Sequence, residues 1–187
     1  KNWDNWNTIV NSLQKTNDPI KIAMVGKYVT LADSYVSVNE ALKHASASIG
    51  KSVNIDWIDS ETLNGNLKQL DNFDGVLVPG GFGTRGSEGI IDTAIYSLEK
   101  NIPYLGICFG FQLAAIAFGR KMCNLENANS TEIVADTKNP IIDLLPEQEQ
   151  ETDMGGSLRL GANEIKISED SLAHKIYKTN KIFKSHR

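Results

Sequence analysis

The sequence predicts a three-layer α/β fold, in which helices cover both faces of a mainly parallel central sheet. Short apolar runs typical of buried strands alternate four times with helical patterns before Lys121. Parallel strands need crossover connections, and this alternation at short spacing supplies them. The carboxyl ends of the strands should therefore share one rim of the sheet, where ligands bind in folds of this kind.

Four runs are predicted as the strands of this sheet. They are Ile20–Gly26, Val53–Ile58, Gly75–Pro79 and Pro103–Ile107. Each is short, largely apolar and bounded by polar, glycine or proline residues. The loops at 26–33, 80–87 and Cys108 follow three of these strands, and we expect them to meet at the shared rim.

The helices between the strands are predicted from apolar residues at helical spacing. Ser37 with Glu40 has the form of a capping box, and it opens a helix that ends at Gly50. The expected apolar face of this helix consists of Val38, Ala41, Leu42, Ala45 and Ile49. Residues 61–70 indicate a weaker helix. A further face is marked by Ile90, Ile91, Ala94, Ile95 and Leu98.

The two ends of the chain differ from this repeating pattern. Residues 1–19 are predicted as a lead-in from a preceding domain, a helix from Trp3 to Leu13 followed by a polar linker, and residues 20–187 as the main domain. Phe109–Arg120 is apolar enough to predict a buried helix. Beyond it, Thr131–Val134 and the stretch around Arg159–Ile167 are predicted as additional strands.

Composition excludes several classes of function. The 187 residues suit one domain, and a net charge of −4 without a basic stripe argues against nucleic-acid binding. No apolar run approaches the roughly 20 residues that cross a bilayer. Two cysteines are too few for a disulfide framework, which favours a reduced, cytoplasmic setting. No set of metal ligands is expected.

The sharpest local motif is Gly106-Ile107-Cys108-Phe109-Gly110, where a strand turns directly into a helix. Flanking glycines permit such a tight turn, which has the form of a nucleophile elbow with Cys in place of Ser. The positive end of the helix dipole would favour the reactive thiolate. The alternative is a buried structural cysteine. Cys123, which lacks this setting, is interpreted as structural.

A second glycine motif, Gly81-Phe82-Gly83-Thr84-Arg85-Gly86, matches the dinucleotide pattern G-x-G-x-x-G. It follows the third strand instead of the first, and the expected acidic residue about 20 positions on is missing. Backbone N–H groups of the glycines in the segment 79–83 could instead form an oxyanion hole, with Phe109 N–H as the second donor. A plain turn is the alternative. Gly26-Lys27 lacks the spacing of a P-loop.

Together these residues resemble the class I glutamine amidotransferases, a flavodoxin-like fold. The resemblance is carried by Pro79–Gly83 and Leu105–Gln112. Further stretches are similar to the CTP synthase family in particular, and with them the resemblance covers nearly the whole chain. These stretches are Ile22–Val29, Gly83–Gly89, Glu126–Glu132 and Gly155–Gly161.

The resemblance implies a set of roles at the rim. Cys108 would attack the side-chain amide of glutamine, form a glutamyl thioester and release ammonia. Gly81 and Phe109 would hold the oxyanion. The glutamine-binding residues implied by the resemblance are Gly81, Phe109, Gly110, Phe111, Gln112 and Glu132. Taken singly, Gln112 could be a polar residue on an apolar helix, and Glu132 a surface carboxylate.

The resemblance also implies partners outside the glutaminase domain. In the family, an N-terminal synthetase domain of the same chain uses ATP and Mg to activate UTP, and the full-length protein is a homo-oligomer. GTP activates the glutaminase, and the loop with Arg85 and Glu88 resembles the segment tied to that response. These two side chains could equally form a surface ion pair of little energy.

The family places its general base, a His with a Glu, in a His-Pro-Glu stretch that residues 1–187 do not contain. His44 and His174 are expected at the surface. Ser185-His186-Arg187 resembles the start of a family segment that precedes the base, so a polypeptide ending at Arg187 should show little turnover. A non-catalytic regulatory module, or another cysteine hydrolase of this fold, is the alternative function.

Overall fold

A computed structural model describes residues 3–14, 18–27, 32–63, 65–143 and 161–186. The chain divides into two compact units, residues 1–143 and residues 144–187. The central sheet belongs to the first unit and contains β1 (Ile20–Gly26), β2 (Val53–Asp59), β3 (Gly75–Val78) and β4 (Tyr104–Gly106). All neighbouring strands are parallel, in the order β2-β1-β3-β4, which confirms the predicted sheet.

Four α-helices accompany this sheet in the described part of the first unit. They are α1 (Trp3–Gln14), α2 (Val36–Ser48), α3 (Ser87–Lys100) and α4 (Phe109–Met122). Helices α3 and α4 pack against each other, and α1 packs against α2. The β1-α2-β2 and β3-α3-β4 crossovers run in opposite directions along the sheet. Right-handed connections therefore place α2 and α3 on opposite faces, which gives the three layers.

The hydrophobic core lies between the sheet and the α3–α4 pair. Strands contribute fully buried residues such as Val25 and Val78, and the two helices contribute Ile91, Leu113 and Ile116. Burying such side chains stabilises the fold by about 1.5–3 kcal/mol each. The core therefore fixes the carboxyl ends of β1, β3 and β4 side by side, and with them the loops that follow.

The predicted start of α2 is wrong. Its N-cap is Tyr35, without a side-chain cap, and Ser37 lies inside the helix, which continues from a 3₁₀ turn at Ala32–Tyr35. The Tyr35 ring is buried and stacks on Trp57 of β2 with centroids 5.4 Å apart. Aromatic burial of this kind exceeds the roughly 1 kcal/mol that a polar N-cap contributes, so packing decides where the helix begins.

The apolar face predicted for α2 is displaced as well. Ala41, Ala45 and Ile49 are exposed, whereas Ser46 and Ala47 are buried. The predicted face is thus only partly correct, since Val38 and Leu42 are half-buried.

The helix expected at 61–70 is absent from the described residues of that stretch, and a 3₁₀ helix spans Leu67–Asn72 instead. Asp59 explains the difference, since its side chain accepts from the amide of Glu61 at 2.9 Å and its carbonyl accepts from the amide of Thr62 at 3.0 Å. Gly65 then adopts a left-handed φ of 83°. Such local bonds compete with helix formation.

Beyond α4, the prediction of a strand at Thr131–Val134 is also wrong. The short strand β5 (Asn129–Ser130) pairs in parallel with β6 (Pro140–Ile142). The Ser130 carbonyl then accepts from the amides of Ile133 and Val134, at 3.0 and 2.9 Å, which closes a turn.

Helix α4, which was predicted to be buried, is only partly buried, since Phe111 and Phe118 are 64% and 53% exposed.

The described part of the second unit is a β-hairpin with a short helical connection. Strand β7 (Gly161–Lys166) pairs antiparallel with β8 (Lys181–His186), and α5 (Leu172–Tyr177) lies between them in sequence. Ser171 caps α5 by accepting from the His174 amide at 3.1 Å. The strand predicted around Arg159–Ile167 is confirmed for Gly161–Lys166, and residues 159–160 lie outside the described ranges.

No helix among the described residues combines the length and the apolar character needed to span a membrane.

Candidate active site

Cys108 occupies the turn between β4 and α4. Its backbone is left-handed, with φ 53° and ψ −111°, and its side chain is exposed. For a residue with a Cβ, such a conformation costs about 1–3 kcal/mol, and strain of this kind is concentrated at functional sites. Exposure excludes the alternative of a buried structural cysteine. The thiol instead lies at the rim of the sheet, at the positive end of α4.

The flanking glycines are required by the close approach of backbone segments. A Cβ on Gly106 would lie 2.5 Å from the carbonyl atoms of Gly110, and a Cβ on Gly110 would lie 2.3 Å from the Val78 oxygen. The Tyr104 hydroxyl donates to the Gly110 carbonyl at 3.0 Å. The end of β4, the start of α4 and the end of β3 therefore pack backbone against backbone, which rigidly supports the elbow.

The amides at the start of α4 are used unevenly. Gly110 N–H donates to the Ile107 carbonyl at 3.0 Å, and the amides of Phe111 and Gln112 donate to the Cys108 carbonyl at 3.0 and 3.1 Å. The Phe109 N–H donates to no acceptor within the described ranges. One amide beside the thiol is thus available to a bound oxyanion, as the first amides of a helix commonly are.

The glycine loop after β3 lies directly beside this cysteine. A Cβ built on Gly80 would be 3.5 Å from the Cβ of Cys108, and one built on Gly81 would be 3.8 Å from the Phe109 ring. The two loops therefore meet at one rim, as the parallel topology predicts. This proximity is what an oxyanion hole shared by Gly81 and Phe109 needs, although their role as donors stays a prediction.

Lys27, at the end of β1, is the site residue that sequence reasoning missed. Its side chain is 6% exposed, and its ammonium donates to the carbonyls of Phe82 at 2.9 Å and Gly83 at 2.5 Å. Burial lowers the pKa of Lys27 to about 8, and the Arg85 charge acts in the same direction, against Glu132 and Glu61. A lysine directly after a buried strand, at the rim shared with Cys108, was the available signal.

Glu132 is half-buried rather than a freely solvated surface carboxylate. Its Oε1 accepts from Gly83 N–H at 3.0 Å, so it helps to fix the glycine loop. Its negative charge also faces the Lys27 ammonium. Its predicted contact with the glutamine ammonium group stays a prediction.

Arg85 and Glu88 do not form the ion pair with each other that was the alternative interpretation, since each binds another partner. The Arg85 guanidinium donates to the Lys27 carbonyl at 2.8 Å and to the Glu61 carboxylate at 3.2 Å. Glu88 accepts from both Nη atoms of Arg120, at 2.6 and 3.1 Å. The first contact ties Arg85 to the end of β1, so this side chain belongs to the support of the rim.

Comparison with known proteins decides the family. The model of the family "Glutamine amidotransferase class-I" matches residues 30–187. The chain belongs to the class-I glutamine amidotransferase family.

Within this family, the chain is most clearly similar to CTP synthases. The chain is 49% identical to the CTP synthase of Halalkalibacterium halodurans, covering 97% of the chain and 35% of that protein. It is 46% identical to the CTP synthase of Pyrococcus abyssi, covering 97% of the chain and 34% of that protein. The chain thus spans about a third of the length of these curated relatives.

A solved structure gives the same result in three dimensions. The glutaminase domain of Trypanosoma brucei CTPS with bound acivicin superposes with a TM-score of 0.80 and 34% identity, covering 90% of this chain and 66% of that chain. The similarity to a CTP synthase glutaminase domain, expected from the motifs, is confirmed, and so is the class-I amidotransferase fold.

The remaining predicted residues fall into two groups in this amidotransferase. Phe109 and Gly110 are buried under the elbow, whereas Phe111 is exposed and Gln112 is half-buried on the first turn of α4. Their contacts with glutamine stay predictions. Cys123 is exposed directly after α4, which contradicts its interpretation as a packed structural cysteine.

The structure describes the side chains of two histidines. His44 is exposed on α2, as expected, while His174 is half-buried on α5 of the second unit. The side chain of His186 is outside the described residues. The family's general base stays an expectation.

Proposed function

We propose that these residues form the glutaminase domain of a CTP synthase, which hydrolyses glutamine at Cys108 and supplies ammonia for the ATP-dependent amination of UTP to CTP. The observation that carries the proposal is the exposed, left-handed Cys108 with the Gly80–Gly81 backbone beside it. Membership of the class-I amidotransferases and the similarity to CTP synthases support the choice of reaction.

In the proposed reaction, the Cys108 thiolate attacks the side-chain amide carbon of glutamine. A C–S bond forms, and the carbonyl electron pair moves onto oxygen, where amides of Phe109 and Gly81 stabilise the charge. Collapse of this intermediate breaks the C–N bond, and the nitrogen leaves as ammonia after taking up a proton. Water then cleaves the thioester, which gives glutamate and restores the thiol.

Charge at the rim supports the proposed orientation of glutamine. Glu132 follows β5, and its carboxylate accepts from the amide of Gly83 in the glycine loop at 3.0 Å. A carboxylate held in this way suits the ammonium group of the amino acid. The first turn of α4, residues 109–112, would then contact the rest of the substrate beside Cys108. Acivicin, bound by the Trypanosoma brucei protein, is expected to occupy the same place here.

The partners follow from the relatives that the chain matches over a third of their length. We propose that ammonia passes to a synthetase domain of the same protein, which binds ATP and Mg, in a cytoplasmic homo-oligomer. GTP would act as activator through the loop with Arg85 and Glu88. Arg85 donates to the Lys27 carbonyl at 2.8 Å, so this loop is tied directly to the rim of the site.

A pair of cysteine variants tests the proposal. In the protein expressed with the sequence that flanks these residues in its gene, Cys108→Ser should lower glutamate release from glutamine at least about 10³-fold, because the nucleophile is lost. Cys123→Ser is the matched control, an exposed cysteine after α4. It should leave both the rate and acivicin labelling unchanged. Substantial release by Cys108→Ser, or labelling of Cys123, refutes the proposal.

A further inference from the structure

Lys27 is buried in a place where lysine is seldom found. Its side chain is 6% exposed, and lysines are almost never fully buried unless they are paired. Here the ammonium is paired with main-chain oxygens, those of Phe82 at 2.9 Å and Gly83 at 2.5 Å. Both acceptors belong to the glycine loop that lies against Cys108. The lysine is therefore bound to a functional loop instead of to solvent.

The glycine loop is held by several hydrogen bonds, and Lys27 takes part in three of them. Its ammonium binds the carbonyls of residues 82–83, and its own carbonyl accepts from Arg85 at 2.8 Å. Glu132 binds the Gly83 amide at 3.0 Å. Both polar groups of the Gly83 backbone are thus occupied, which leaves this turn little freedom to shift.

Lys27 lies beside both residues that are predicted to supply the oxyanion donors. A Cβ built on Gly81 would be 4.0 Å from Cδ of Lys27 and 3.8 Å from Cδ1 of Phe109. The ammonium lies 4.3 Å from the centroid of the Phe109 ring, within the range of a cation–π contact. Lys27 therefore contacts the loop that carries one donor and the side chain of the residue that carries the other.

We propose that Lys27 is a positioning residue that sets the spacing between the Gly81 and Phe109 amides and so shapes the oxyanion hole of the glutaminase. The inference rests on the proposed function of Cys108. Lys27 acts through the loop and through Phe109, without touching glutamine. An oxyanion donor is effective only when it is held about 2.7–3.1 Å from the developing charge, so a loop fixed by a charged group favours catalysis.

A consequence for pH follows from the charges around the ammonium. Its pKa is lowered to about 8, mainly by burial, with Arg85 lowering it and Glu132 and Glu61 raising it. Below this value the ammonium keeps its charge-assisted bonds and its contact with the Phe109 ring. Above it the neutral amine loses both, so the catalytic rate should fall as the pH rises through about 8.

The first test measures glutaminase kinetics in the protein with its natural flanking sequence. Lys27→Met keeps the length of the stem and removes the charge, and it should lower kcat about 10²-fold while KM changes less than about threefold. Lys27→Arg keeps a charged donor, so its kcat should lie between those of the wild type and Lys27→Met. Lys100→Met is the control, since Lys100 is exposed and its ammonium lies 5.7 Å from the Tyr96 ring. It should leave kcat and KM unchanged.

Two alkylating agents separate the oxyanion hole from the reactivity of the thiol. Iodoacetamide needs only the Cys108 thiolate, whereas a chloroketone analogue of glutamine also places its ketone oxygen between the donors. Lys27→Met should slow the chloroketone about 10²-fold and iodoacetamide less than about twofold. Wild-type alkylation by the chloroketone should decline above about pH 8, and the variant should lose this decline. A wild-type ratio of the two rates in Lys27→Met overturns the proposal.

Hydrogen exchange tests the positioning role of Lys27 separately from the proposed hydrolysis of glutamine at Cys108. Amides of residues 80–83 should exchange faster in Lys27→Met than in Lys100→Met, whether or not the protein hydrolyses glutamine. Unchanged exchange in this segment overturns the positioning role. If the loop amides exchange faster in Lys27→Met, as expected, but the wild-type protein releases no glutamate, the proposed function is refuted. The role of Lys27 in fixing the loop would then stand.

Discussion

Gly110→Ala should disable the elbow without removing any catalytic group. The Cβ of the alanine would lie 2.3 Å from the Val78 oxygen and 2.8 Å from its Cγ1. The oxygen cannot rotate away, because it belongs to the backbone of the fully buried strand β3. The start of α4 must therefore move away from the sheet, and Cys108 moves with it.

The size of the movement sets the expected loss. Ordinary contact begins near 3.4 Å, so a separation of 2.3 Å must increase by about 1.1 Å. A misplacement of about 1 Å at a reacting group costs about 10²-fold in rate. Overpacking costs about 1–3 kcal/mol of stability, and the higher helix propensity of alanine offsets about 1 kcal/mol of it. Gly110→Ala should therefore fold but lose about 10²-fold in kcat.

The assay is glutamate release, with the free energy of unfolding measured in urea on the same samples. Gly119→Ala is the matched control on α4, because its Cβ would approach only side-chain atoms, Cδ1 and Cγ1 of Ile141 at 3.1 and 3.3 Å and Cβ of Ala128 at 3.8 Å. The control should keep kcat within about twofold, since a side-chain tip can yield. If Gly110→Ala is as active as Gly119→Ala, the argument that backbone packing positions the nucleophile is wrong.

Two further substitutions test the support of the site and its charges. Tyr104→Phe removes the hydroxyl that donates to the Gly110 carbonyl at 3.0 Å, and urea unfolding should show a loss of about 1 kcal/mol, with no loss contradicting the bond. Burial, followed by the Glu88 charge, raises the pKa of Asp92 against the opposing Arg120. At neutral pH Asp92 is charged, and the raised pKa means that this charged form is less favourable in the native state than in the unfolded chain. Asp92→Asn should therefore slightly raise Tm at neutral pH. This gain should vanish as acid protonates Asp92, and a gain that persists in acid would contradict the assignment.

The strands of the sheet were predictable because their sequence signal and their burial coincide. Ile20–Gly26 is an apolar run in the sequence and a strand over the same residues in the structure. A central parallel strand is covered on both faces, so a continuous apolar run identifies it without any knowledge of its neighbours. The turn at Cys108 was predictable for a similar reason, since Gly106 is required by the close approach of Gly110 within the same motif.

The errors concern features that depend on distant residues. Ser37 with Glu40 satisfies a local capping rule, but Tyr35 stacks on Trp57 of another element and moves the start of the helix. Lys27 contacts residues 82–83, which lie 55 and 56 positions away. Spacing within one motif carries no information about such pairs. A side chain that supports a site across the sheet is therefore harder to find than the nucleophile itself.

The most direct test of the central claim is to trap the covalent intermediate. The protein, expressed with its natural flanking sequence, would be mixed with glutamine, quenched in acid and digested for mass spectrometry. The account predicts one glutamyl group attached to the peptide that contains Cys108 and none on the Cys123 peptide. Glutamate release without any adduct on Cys108 during turnover, or with the adduct on another residue, would contradict it.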